Sequence, residues 1–75
     1  MILVDLAGHL VSDTSVDELH EFAARHRQHR WYFHNRRGRG HPHYDLTSQT
    51  KIVDAIVAGA KLVETRALVK RMARS

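Results

Sequence analysis

"ILVDL", residues 2–6, decides how the rest of the chain is read. The run does not alternate polar with apolar positions, so it reads as a strand covered on both faces rather than one with a wet side. "AGH", residues 7–9, then closes it. A strand of that kind belongs in a mostly parallel sheet with helices packed against it, and the chain that follows alternates in the required way. Ser15 and Glu18 form a capping-box pattern that starts a helix running to about residue 28, with Val16, Leu19, Phe22, Ala23 and His26 near one stripe. "RWYFHN", residues 30–35, is too aromatic for a loop and reads as a second strand. Thr47 or Ser48 caps a second helix whose stripe is Ile52, Val53, Ile56 and Val57, ended by Gly59 in a left-handed conformation. "AKLVE", residues 60–64, is a short third strand, and Thr65 caps a last helix that buries Leu68, Val69 and Met72. The expected fold is a small three-layer βαβαβα α/β domain with a short, mostly parallel three-stranded sheet.

Seventy-five residues allow one compact domain, residues 1–75, and a chain of this size buries only about 60% of its unfolded surface. Its core is therefore small, which points to a homo-oligomer, a dimer by preference. There is no cysteine, so disulfides and thiolate metal sites are excluded and any metal must be held by His and carboxylates. The apolar opening carries Asp5 and is far shorter than the roughly 20 residues a membrane span requires. A soluble cytoplasmic protein with no membrane partner is expected.

Charge is segregated along the chain. Residues 1–24 hold Asp5, Asp13, Asp17, Glu18 and Glu21 with no Lys or Arg, whereas residues 25–39 hold six arginines and no acid. Four more cations sit in residues 66–75, within the expected basic C-terminal helix of residues 65–75. Nine of the twelve cations are Arg, whose planar fork suits phosphate. The long connection of residues 35–46 carries Arg36, Arg37 and Arg39 between flexible glycines, and a loop of that length is functional or disordered.

In a parallel sheet the loops leaving the strands gather at one carboxyl edge, where open α/β folds place ligands. That edge would collect Asp5 and His9 after the first strand, His41, His43, Tyr44 and Asp45 after the second, and Glu64 after the third. Several stretches together resemble a known family: "VD" at 4–5, "HLVSDT" at 9–14, "DELHEFA" at 17–23, "HYDLT" at 43–47, "AGA" at 58–60 and "ALV" at 67–69. They are similar, in order, to small bacterial and phage proteins catalogued as domain of unknown function 4031. The resemblance implies the order of elements and a bacterial or phage setting; it implies no activity.

Two chemistries fit the expected edge. A phosphate-containing ligand, a nucleic acid or a nucleotide, would be gripped by Arg36, Arg37, Arg39 and Tyr44, with Trp31, Tyr32 or His34 stacking on a base. Alternatively, a divalent metal held by His9, Asp13, His41 and His43 would activate water for phosphoester hydrolysis, with Asp5, His43 and Asp45 as the catalytic groups. Acidification would tighten the first kind of binding by charging histidines and loosen the second by protonating ligands. A third class is a protein-interaction module, docking on itself or on a host protein through its segregated charge. His20, beside the apolar stripe, is expected to be a hydrogen-bonded structural histidine, and Ser12, Thr14 and Ser15 are explained by capping, so no nucleophilic triad is argued.

Overall fold

The first strand ends sooner than the apolar run suggests, and the chain turns straight back on itself. In a computed structural model that describes residues 1–26, 33–34 and 42–71, β1 is Ile2–Val4 and pairs antiparallel with β2, His9–Ser12. A tight turn over Leu6, Ala7 and Gly8 joins them. Its Gly8 has φ +94°, the Gly8 amide donates to the Asp5 carbonyl at 3.2 Å, and the Asp5 amide donates to the His9 carbonyl at 3.2 Å. A three-residue hairpin connection with glycine in the positive-φ position explains the sequence "AGH" better than the end of a parallel strand does.

Helix α1, Val16–Arg25, follows. The two-residue β3, Phe33–His34, pairs antiparallel with β4, His43–Asp45, and β4 in turn pairs antiparallel with β2. Helix α2 is Gln49–Val57, β5 is Lys61–Leu62, and α3 is Thr65–Arg71. Among the described residues the sheet has five strands in the order β3-β4-β2-β1-β5, and β1 with β5 is the one parallel pair. The α/β character is as expected, but the three-stranded, mostly parallel sheet is corrected to a five-stranded, mostly antiparallel one. The two additional strands, "HLVS" and "HYD", are three or four residues long and mostly polar at their ends, so neither has the apolar run that marks a buried strand. Trp31, Tyr32 and the rest of the expected 30–35 strand outside Phe33 and His34 lie outside the described residues, as does Met72.

Side-chain alternation along β1 divides the core in two. Ile2 and Val4 join Leu10, Tyr44 and the buried residues of α1 and α2 in the larger cluster, whereas Leu3 joins Val11 and Leu68 of α3 in the smaller one. Two helices thus cover one face of the sheet and one short helix covers part of the other, which is why "ILV" is apolar throughout. Ser15 caps α1 as expected, its hydroxyl accepting from the Glu18 amide at 3.0 Å. The other half of the expected capping box is replaced by a relay through Ser12. That buried hydroxyl accepts from the Ser15 amide at 3.1 Å and donates to the Glu18 carboxylate at 2.7 Å. Ser48 is the cap of α2, and Gly59 takes φ +116° after it. The α2 stripe differs from expectation: Ile52 and Ala55 are buried, while Val53, Ile56 and Val57 face outward. Val69 of α3 is likewise exposed. No helix among the described residues is long and apolar enough to cross a membrane.

Candidate metal centre

The hairpin and β4 bring together residues that the chain separates by more than thirty positions. His9 opens β2 directly opposite Asp45 at the end of β4, so the two side chains leave the same face of the sheet. His43, two residues before Asp45, shares that face by alternation. The His9 and His43 rings meet edge to face, centroids 5.3 Å apart at 81°. His43 Nε2 lies 3.2 Å from Asp45 Oδ1. One ligand atom from each of His9, His43 and Asp45 falls within 4.8 Å of the others. This is the face that α3 only partly covers, and all three residues are half-buried.

A tetrahedral site with bonds of about 2.0–2.1 Å has ligand atoms about 3.4 Å apart, so closing on a metal would shorten the widest of these separations by up to about 1.4 Å. Two imidazoles and a carboxylate suit Zn, Mn, Fe or Ni, and three protein ligands leave coordination positions for water and substrate.

Asp5 stands behind His9 at the closing pair of the hairpin and is 1% exposed. Its Oδ1 accepts from the His9 amide at 2.9 Å, and its Oδ2 accepts from Thr65 Oγ1 at 2.7 Å and lies 2.8 Å from His9 Nδ1. Burial pushes the Asp5 carboxyl up, but the hydrogen bonds from the His9 ring, the His9 amide and the Thr65 hydroxyl outweigh it and hold the group below the ordinary carboxylate range. Asp5, expected among the catalytic groups, is buried with both carboxylate oxygens hydrogen-bonded to His9 and Thr65.

The other expected site residues divide. Asp13 lies past the far end of β2, where it accepts from the Met1 ammonium at 2.9 Å and from Arg71 at 2.9 Å. Four residues of extended strand carry it about 13 Å from His9, so the two do not share a metal. Tyr44 points to the larger core, is 2% exposed, and its hydroxyl lies 2.7 Å from His20 Nδ1. Strand alternation puts Tyr44, expected among the phosphate-binding residues, on the opposite face from His43 and Asp45, packed in the larger core. His20 is the hydrogen-bonded structural histidine expected, with Phe33 edge-on at 4.5 Å. His41, Arg36, Arg37 and Arg39 lie outside the described residues. Thr65 was missed as a partner of the site, because nothing in a 60-residue separation along the chain signals it.

A family model described as "Protein of unknown function (DUF4031)" matches residues 4–75. The chain belongs to this family. The DUF4031 match spans every residue of the cluster, from Asp5 and His9 through His43 and Asp45 to Thr65. No curated protein and no solved structure gives a significant match.

Proposed function

We propose that this DUF4031 protein holds a divalent transition metal between His9, His43 and Asp45 and through it binds and hydrolyses a phosphate-containing ligand, a nucleic acid or a nucleotide. The observation that carries the reading is the convergence of these three donors on a partly uncovered sheet face. A metal there lowers the pKa of a bound water and offsets charge on a phosphoryl oxygen. In the reaction the water oxygen bonds to phosphorus, the P–O ester bond breaks with its electron pair on the leaving oxygen, and the proton lost by the water ends on that oxygen. Charge supports a phosphate ligand. Residues 35–42 join β3 to β4 and contain Arg36, Arg37 and Arg39.

The test is isothermal titration of metal-free protein with Zn and with Mn, followed by hydrolysis of bis(p-nitrophenyl) phosphate and by salt-dependent binding of oligonucleotides. Micromolar or tighter metal affinity, lost in His9→Ala and His43→Ala, is expected. Absence of metal binding by the wild type would refute the reading, and metal binding without phosphoester turnover would confine it to binding.

A second reading, self-association, is favoured by the outward face of α2, where Val53, Ile56 and Val57 are 52%, 36% and 83% exposed. A second copy packed on that face would add the apolar burial that so short a chain lacks. Sedimentation of the wild type against Val57→Lys tests it: a monomer at all concentrations ends this reading.

A further inference from the structure

Asp5 presents a physical problem that the metal site alone does not solve. It is 1% exposed, and among the described residues it forms no ion pair with Lys or Arg. A buried carboxylate is costly unless its oxygens are occupied by donors. Here they are occupied by three, and two come from one residue, His9, through its amide and its ring. The third, the Thr65 hydroxyl, arrives from α3 at the other end of the sequence. An ionised carboxylate can only accept hydrogen bonds, so the His9 Nδ1 at 2.8 Å must be the nitrogen that carries hydrogen. In a neutral ring that leaves the lone pair on Nε2, and among the described residues no hydrogen bond engages Nε2.

We propose that Asp5 and Thr65 are positioning residues that fix the His9 ring as its Nδ1–H tautomer, so that Nε2 is the atom presented to the metal. This rests on the metal reading of the site. A carboxylate behind a metal-ligating histidine fixes the ring's orientation and raises its basicity. The hairpin makes the arrangement cheap to hold, because Asp5 and His9 are already joined across the turn by a backbone hydrogen bond. Thr65 donates to Oδ2, the same Asp5 oxygen that faces His9 Nδ1. The position of α3 is thereby linked to the ring that binds the metal.

The experiment uses the full chain as wild type, Asp5→Asn, Thr65→Val and Thr65→Ser, with Zn as the titrant. Long-range ¹H–¹⁵N spectra of the metal-free proteins report the His9 tautomer, and thermal unfolding checks that each variant is folded. In the wild type the ring carries its proton on Nδ1. In Asp5→Asn the side-chain amide donates to Nδ1, the proton moves to Nε2, and Zn affinity falls about 10- to 100-fold. Thr65→Val lowers affinity by less, and Thr65→Ser restores it, which a purely structural loss of the methyl group would not do. A wild-type ring protonated on Nε2 overturns the proposal. So does an affinity for Zn within about threefold of wild type in both Asp5→Asn and Thr65→Val, since such partners ordinarily contribute at least tenfold. Should Asp5→Asn fail to fold, the Thr65→Val and Thr65→Ser pair decides. A wild type that binds no Zn refutes the metal reading itself, whereas unaltered affinity in the variants refutes only the positioning role.

Discussion

Gly8→Ala probes the turn on which the whole site depends. Gly8 has φ +94°, and a Cβ built there would overlap the carbonyl oxygen of Leu46, the residue that follows β4. The same two residues share a hydrogen bond, the Leu46 amide donating to the Gly8 carbonyl at 2.7 Å. An L-residue at positive φ costs about 1–2 kcal/mol. Pushing Leu46 away also weakens a backbone hydrogen bond, for about another 1 kcal/mol. The expected loss is therefore about 2–3 kcal/mol, against a total stability of about 4–11 kcal/mol for a chain of this length. Gly59→Ala is the control: Gly59 has φ +116°, but a Cβ there meets nothing within 4 Å. Only the backbone cost applies, reduced by the lower entropy of the unfolded chain, for a net of about 1 kcal/mol or less. Urea titration followed by circular dichroism should show the midpoint falling at least twice as far for Gly8→Ala as for Gly59→Ala. The clash also separates His9 from Asp45, so Gly8→Ala should lose metal affinity and Gly59→Ala should not. Equal destabilisation by the two substitutions would refute the close packing of the hairpin turn on the end of β4.

Tyr44→Phe removes only the hydroxyl that meets His20 and should cost about 1 kcal/mol by denaturant unfolding, whereas Tyr44→Ala opens the core and should cost about 3–5 kcal/mol. The Asp13 and Glu18 carboxyls are held below their ordinary values, in each case first by a hydrogen bond from the Met1 ammonium, with Arg71 adding to Asp13 and Ser12 to Glu18. Depressed carboxyls stabilise the fold above their ordinary titration range, and that contribution disappears as pH falls through the depressed values. Stability should therefore decline below about pH 4, and Asp13→Asn combined with Glu18→Gln should flatten that decline in acid titrations monitored by fluorescence. His43→Ala should abolish metal binding by calorimetry, while Arg37→Ala should leave it intact, weaken oligonucleotide binding and reduce the salt slope by about 1; equal effects of the two would undo the division between metal ligand and phosphate contact.

Much of this protein is local and was legible from the chain: the cap at Ser15, a cap at Thr47 or Ser48 that the structure assigns to Ser48, the left-handed Gly59, and the lack of cysteine. These depend on groups within a few residues of one another. Thr65, read as the cap of the last helix, is instead its first residue and donates its hydroxyl to Asp5. The pairing of His9 with the "HYD" stretch is a different kind of fact. "LAGHLVS" does carry a hairpin signal, two apolar runs around a short glycine-containing turn, but the uninterrupted "ILV" is equally consistent with a parallel strand. Periodicity reports burial on both faces without reporting the direction of the neighbouring strand. The residue types of the candidate site, His9, His43, Asp45 and Asp5, stand out in the sequence, yet their roles do not. Only the antiparallel register sets His9 across from Asp45, sends Tyr44 to the opposite face and carries Asp13 to the far end of the sheet. Only the docking of α3 brings Thr65 to Asp5, because a contact between residues sixty positions apart is decided by how the layers pack and leaves no local trace.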